Sequence, residues 1–345
     1  VTFILMREEE AYTMTFNNPD SGMNEPVLSP DLPIVDSHIH LWNCAGYDYF
    51  VADFLADVAK GHNVEASVYV ECGMAFSDDP RPGFAAVGET EYVHTQIAEG
   101  ARIDPRHRLA AGILACVDLT LGDDVGPVIE AHVDAGKGLF KGVRSRIAWD
   151  SDPVAGYGDT GYYPHGDIVN DPRFLAGAKR VLQMGHVVEL WGLHPQMEEI
   201  RTFAAKIPDH SIVINHMGGP IGVGRYAADR KSVFSDWSST MRRLAELPNV
   251  KIKIGGLGIT RMGFDFPGGQ ATSSDQLVAA WSPYVDTCIE AFGPSRAIFG
   301  SNYPVDRRSA PYPILLNAYK KMLGGLSEEE RAAVFAENAR AYYKL

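Results

Sequence analysis

The sequence predicts a (β/α)8 barrel of TIM type, an α/β fold. Three observations carry that expectation. Short apolar, β-rich runs alternate with amphipathic helical patterns from Pro33 to the C-terminus, as a parallel sheet wrapped by helices requires. The runs number eight, which suits a closed barrel better than an open sheet. No G-x-G-x-x-G follows an early run to favour a dinucleotide fold.

The eight predicted strands are Ile34 to Leu41, Ala66 to Glu71, Leu109 to Leu119, Leu139 to Arg144, His186 to Trp191, Ser211 to Asn215, Val250 to Gly255 and Ala297 to Gly300. Apolar residues spaced by three and four predict helices over Val51 to Lys60, Glu89 to Gly100, Val125 to Ala135, Pro172 to Met184, Gln196 to Ala205, Phe234 to Leu247 and Asp275 to Phe292, with two more after the last strand. Asp171-Pro172 reads as an N-cap with proline at N1, and Ser327 with Glu330 as a capping box. The connection from Ala148 to Asn170, rich in Gly, Asp, Tyr and Pro, reads as an active-site loop. Residues 1–32 lack a sustained period and read as an N-terminal arm, a candidate oligomer contact, ahead of a single barrel domain over 33–345.

Composition narrows the partners. Lys and Arg number 31 against 44 Asp and Glu, a formal charge of −13, which argues against nucleic acid or an anionic membrane and for a small-molecule substrate. The four cysteines, Cys44, Cys72, Cys116 and Cys288, form no C-x-x-C pair and indicate neither a disulfide framework nor a thiolate zinc site. No run approaches the ~20 apolar residues of a membrane span. Val1 to Leu5, followed by Glu8 to Glu10, is too short an apolar run for a signal peptide. The expected setting is cytoplasmic.

Barrel chemistry sits where strands end. The first predicted strand ends in Asp36-Ser37-His38-Ile39-His40-Leu41-Trp42, and period-two alternation puts both imidazoles on one side, as a metal pair or a substrate clamp needs. The sixth runs into His216-Met217-Gly218, and the eighth into Ser301-Asn302-Tyr303-Pro304-Val305-Asp306. Arg144 and Arg146 share a face at the end of the fourth, where guanidinium groups could recognise a substrate carboxylate. Glu71, Glu189 and Asp306 are the carboxylates placed to act as a base, with Glu189 also a candidate substrate contact. Trp42, Tyr163, Trp191 and Tyr303 could wall the pocket. His194, beside Pro195, is a weaker ligand candidate, and His94 and His132 fall on presumed outer helices, facing solvent.

Taken in order, D-S-H-I-H-L-W at 36–42, F-K-G-V-R at 140–144, V-E-L-W at 188–191 with P-Q-M at 195–197, I-N-H-M-G at 214–218, K-I-G-G-L at 253–257 and F-G-S-N-Y-P-V at 299–305 resemble the predicted metal-dependent hydrolases of the amidohydrolase superfamily. The similar branch, of amidohydrolase-2 type, holds 2-pyrone-4,6-dicarboxylate lactonase and sugar and sulfomuconolactone hydrolases. The resemblance implies that His38, His40 and His216 form the site, polarising a carbonyl or holding one divalent metal, zinc first among the candidates, or none. It implies hydrolysis of a small carboxylated or hydroxylated lactone. The alternatives are a metal-dependent non-oxidative decarboxylase and a non-catalytic small-molecule binding protein. One position departs from the pattern: Asn302 stands where the superfamily usually has an aspartate that activates water. An amide accepts no proton and is a weak partner for a dication.

Overall fold

The structure is a computed structural model that describes residues 25–44, 47–156, 166–266, 269, 271 and 273–345. Strand β1 (Ile34–Ile39) is followed by a short antiparallel hairpin, β2 (Trp42–Cys44) and β3 (Tyr47–Tyr49), and by helix α1 (Val51–Val58). The chain continues through β4 (Val64–Val70), α2 (Val87–Ile103), β5 (Arg108–Ala115), α3 (Gly126–Gly136), β6 (Phe140–Arg146) and α4 (Pro172–Gln183). Then come β7 (Val187–Trp191), α5 (Met197–Ala204), β8 (Ile212–Ile214), α6 (Arg230–Ala245), β9 (Val250–Ile254), α7 (Ser274–Phe292) and β10 (Ala297–Phe299). Helices α8 (Tyr312–Met322), α9 (Glu328–Ala332) and α10 (Asn338–Tyr343) complete it.

Eight strands pair in parallel in the order β1-β4-β5-β6-β7-β8-β9-β10. The seam between first and last is closed by the chain just beyond β10. Asn302 N donates to His38 O at 2.9 Å and His40 N to Tyr303 O at 2.8 Å, with Ser37 Oγ on Phe299 O at 2.6 Å. The barrel is thus the predicted (β/α)8 fold, and its closure lies at the strand ends that carry chemistry.

Alternation along the strands divides the core. Residues such as Val143, Val188, Ile212, Ile252 and Phe299 face the helices and join the main apolar layer. Val35, Val68, Val213 and Ile298 face the lumen and pack against Ala336, Ala339 and Tyr343, so the C-terminal segment plugs the bottom of the barrel. Polar residues therefore collect above this plug, toward the mouth.

The expected caps form: Asp171 Oδ1 accepts from Arg173 N at 2.8 Å ahead of Pro172, and Ser327 Oγ accepts from Glu330 N at 3.2 Å. Such caps contribute about 1 kcal/mol each. The third predicted strand, β5 in the structure, stops at Ala115 rather than Leu119 because Asp118 Oδ1 accepts from Thr120 N at 2.9 Å and turns the chain into a 3-10 segment. The β2–β3 hairpin has no counterpart among the predicted elements, its strands being only three residues each. Of the N-terminal arm, residues 25–32 lie on the barrel: Leu28 N donates to Asn317 Oδ1, and Lys320 Nζ to Leu28 O and Ser29 O, each at 2.9 Å. Among the described residues no helix is long and apolar enough to cross a membrane.

Candidate active site

The end of β1 and the segments after β8 and β10 bring three imidazoles together. The ring centroids of His38 and His40 are 4.9 Å apart, and those of His38 and His216 are 4.5 Å apart. All three are buried, at 0%, 4% and 2% exposure. Local backbone makes room for them. His216, Met217 and Asn302 all adopt positive φ, at 51°, 49° and 58°, a concentration of strained non-glycine residues of the kind found at functional sites. Gly256, at φ +80°, lies so close to His216 that a Cβ there would stand 2.1 Å from Nδ1.

Burial holds the imidazoles neutral, because a charged ring would lose its water. The His40 pKa is pushed down to about 3 by burial and then by the nearby Arg144 charge. Those of His38 and His216 also fall well below the ordinary range, chiefly through burial, with Lys253 and Arg144 respectively the next contributors. His40 Nδ1 lies 2.8 Å from Val70 O. A carbonyl only accepts, so the proton of this neutral ring is on Nδ1 and Nε2 keeps its lone pair. His38 Nε2 and His216 Nδ1 are buried without a protein partner.

Asn302 sits beside this group, its Nδ2 donating to Asp306 Oδ1 at 2.7 Å, while Asp306 Oδ2 accepts from Gly258 N at 3.0 Å. Burial raises the Asp306 carboxyl to about 7. Both Asp306 oxygens are thus engaged within the protein, and the Asn302 amide keeps its carbonyl oxygen for other work.

The remaining candidates are arranged differently from the sequence expectation. Glu71, expected as a base, is fully buried and clamped by two cations: Arg144 Nε and Arg146 Nη2 bind its carboxylate, with Arg146 Nε at 2.8 Å from Oε1. Arg144 Nη2 also donates to Glu71 O at 2.7 Å. The clamp makes Glu71 a counter-ion, and it turns Arg144 and Arg146, expected to take a substrate anion, toward a carboxylate of the protein itself. Glu189, expected as base or substrate contact, is inside the lumen at 0% exposure with both oxygens 2.8 Å from Lys253 Nζ.

Among the aromatics, Trp42 stacks on His40 (5.6 Å, 12°) and Trp191 meets His216 edge-on (4.6 Å, 80°). Tyr303, expected as a pocket wall, belongs instead to the core: its hydroxyl donates to Ala310 O at 3.0 Å and its ring packs on Tyr49 and Tyr312. Tyr163 lies outside the described residues. His194 Nδ1 accepts from Ile221 N at 3.2 Å and its ring rests on Tyr226, a role in loop structure. His132, expected in solvent, is fully buried with Nδ1 2.8 Å from Thr90 Oγ1, because the inner face of α3 packs on α2 there; His94 is half-buried.

Two contributors escaped the sequence reading. Lys253 is completely buried in β9, where Val250, Ile252 and Ile254 face the helices and the alternate lysines face the lumen. That alternation of Lys with apolar residues in V-K-I-K-I is the signal that could have found it. Asp36 joins β1 to the far side of the seam, accepting from Ser301 N and Tyr312 Oη at 2.8 Å each.

The donor set does not suit a divalent ion. Among the described residues no carboxylate lies free beside the imidazoles, an amide occupies the eighth-strand position, and the Arg144 and Lys253 charges that oppose protonation of these rings oppose a dication likewise. Among the described residues no group of three or more His, Cys, Asp or Glu is disposed to hold a metal.

Comparison with known proteins gives the family. An uncharacterized protein of Sinorhizobium fredii is 29% identical over 91% of this chain and 99% of its own. An L-fucono-1,5-lactonase of Burkholderia multivorans is 24% identical over 90% of this chain and 96% of its own. Among solved structures, an amidohydrolase from Burkholderia multivorans with bound zinc superposes with a TM-score of 0.66 at 22% identity, covering 90% of this chain and 99% of that one; at that identity the likeness speaks for the fold. The profile of the Amidohydrolase family matches residues 35–345, the whole barrel from β1 to the last helix, and the chain therefore belongs to that family.

Proposed function

We propose that this protein hydrolyses the ring ester of a small, hydroxylated, uncharged lactone. The observation that carries the reading is the set of buried, neutral imidazoles at the barrel mouth, with the His40 proton committed to Val70 O and its Nε2 left as an acceptor. The similarity to an L-fucono-1,5-lactonase over nine-tenths of the chain supports the same reaction class.

In this reading His40 Nε2 and the Asn302 amide oxygen accept hydrogen bonds from the attacking water and orient it. A ring whose pKa is about 3 orients water far better than it removes a proton. The larger contribution falls to stabilisation of the developing oxyanion by an imidazole N–H, in the field of Arg144 and Lys253. A single oxyanion donor is worth ~10²–10³ in kcat. Water adds to the carbonyl carbon, the ring C–O bond breaks, one proton of the water ends on the freed hydroxyl, and the other leaves with the new carboxylic acid. No step runs through a metal.

The substrate class follows from the clamp on Glu71. A carboxylate on the substrate would compete for Arg144 and Arg146 with a buried carboxylate that both already hold. Free thiols at Cys72, Cys116 and Cys288 suit a reducing, cytoplasmic setting. The test is a panel of L-fucono-1,5-lactone, other sugar lactones and 2-pyrone-4,6-dicarboxylate, followed by acid release and, in parallel, by carbon dioxide. Opening of the sugar lactones with little action on the dicarboxylate is expected. The reverse ranking, or carbon dioxide release, overturns the reading.

A further inference from the structure

Beneath the imidazoles lies a buried ion pair whose ammonium the mechanism above uses only as a source of field. Lys253 Nζ contacts three acceptors: the Glu189 carboxylate at 2.8 Å to each oxygen, Ser37 O at 3.1 Å and His38 Nδ1 at 3.4 Å. Glu189 is held in turn by Asn215 Nδ2 at 2.7 Å and by the Tyr343 hydroxyl from α10. Lys253 and Glu189 are both at 0% exposure, in the lumen between the apolar plug and the mouth.

An ammonium ion has three N–H donors and no lone pair, so a hydrogen bond between it and an imidazole nitrogen forms only if that nitrogen is unprotonated. Here the carboxylate, the carbonyl and His38 Nδ1 supply one acceptor for each donor. A neutral ring with Nδ1 unprotonated carries its hydrogen on Nε2, and Nε2 of His38 has no partner within the protein. His40 has the opposite arrangement, since a carbonyl rather than an ammonium faces its Nδ1.

We propose that Lys253, anchored by Glu189, is a positioning residue that fixes His38 as the Nε2–H tautomer and so makes His38 the imidazole that donates to the substrate's carbonyl oxygen. The pair of tautomers divides the labour: His40 accepts from water and His38 donates to the carbonyl. The role in turnover rests on the lactone-hydrolysis reading, whereas the tautomer does not.

The test begins with the full-length protein labelled with 15N-histidine and no substrate, in which two-bond 15N–1H correlations, assigned by His38→Gln, report which ring nitrogen is protonated. An Nε2–H signal for His38 is expected, and an Nδ1–H signal overturns the proposal. The second arm is Lys253→Met combined with Glu189→Gln, which removes both charges together and leaves an amide oxygen for Asn215 and Tyr343. His38 should then populate the Nδ1–H form, with kcat on a sugar lactone falling on the order of 10²-fold and KM changing little. Retention of Nε2–H in the folded double variant would show that something other than Lys253 sets the tautomer. If this variant does not fold, Lys253→Arg replaces it; a guanidinium likewise donates and cannot accept, so Nε2–H and kcat should both be retained, and a shift of His38 to Nδ1–H there counts against the proposal. An Nε2–H wild type that opens no lactone sinks the functional reading and leaves the tautomer assignment standing.

Discussion

Replacing Gly256 with alanine separates the placement of His216 from the folding of the barrel. At φ +80° an added Cβ meets Nδ1 of His216 at 2.1 Å, Cγ at 2.4 Å and the histidine Cβ at 2.7 Å. Ordinary contact begins at 3.4 Å, so the ring must retreat by 3.4 − 2.1 = 1.3 Å if the backbone stays in place. The backbone has little freedom, because neighbouring Gly255 already lies against Gly300, whose carbonyl oxygen would be 1.8 Å from a Cβ on Gly255. The left-handed conformation costs an L-residue ~1–2 kcal/mol, a loss of roughly 1–3 °C in Tm for a chain of 345 residues. A displacement of ~1 Å in a catalytic group costs about 10²-fold in rate. Gly138→Ala is the control: its φ is +89° but nothing lies within 4 Å of the added Cβ, so it carries the strain without the collision. Thermal melts and lactone hydrolysis should therefore show a small loss of Tm for Gly138→Ala, a larger one for Gly256→Ala, whose collision overpacks a buried site, and loss of kcat for Gly256→Ala alone. Equal turnover by both would refute the assignment of the chemistry to the imidazole cluster.

Three further outcomes are expected. Glu71→Gln should lower Tm sharply, since breaking a buried ion pair costs about 3–5 kcal/mol and two guanidinium groups lose their counter-ion; a variant of unchanged Tm that has lost only kcat would restore Glu71 as a base. Burial raises the Asp306 carboxyl from its ordinary value of 3.8 to about 7, so between those values the folded chain keeps a proton that the unfolded chain gives up. Its contribution to stability is full below pH 3.8 and lost as pH rises to about 7; Asp306→Asn should shrink the gap between melts at the two ends of that window, and an undiminished gap would discount the group. Asn302→Asp places a second carboxylate against Asp306 Oδ1, where the amide now stands at 2.7 Å, and should raise the zinc retained after dialysis, measured by elemental analysis; equal zinc in variant and parent would mean that the missing carboxylate is not what disfavours a cation.

The fold was legible because its signal is repetitive. Each strand reads as a short apolar run, and each helix presents an apolar face to it, so an error at one boundary leaves the count intact. The element that escaped, the β2–β3 hairpin, offers three residues per strand and no period to detect. The early end of β5 depended on a single side chain, Asp118, whose bond to Thr120 N competes with the strand ladder.

The site was legible only as far as strand ends define it. His38, His40, His216 and Asn302 could be placed at the mouth from position alone, because a barrel sends its strand ends to one face. Which charges pair in the lumen depends on strand register and side-chain reach, and those pairings span 73 residues for Arg144 with Glu71 and 64 for Lys253 with Glu189. Arg144 and Glu189 stand side by side in the β6–β7 register, which makes them the natural pair on paper. The barrel instead sends Arg144 to Glu71 at the end of β4 and gives Glu189 to Lys253 across the lumen. That exchange has a chemical consequence. A pair between Arg144 and Glu189 would leave Glu71 to Arg146 and strand Lys253 as a buried charge against His38 without its carboxylate. With the pairing as it stands each carboxylate has a cation, and the Lys253 ammonium is held still enough to decide which nitrogen of His38 keeps the proton.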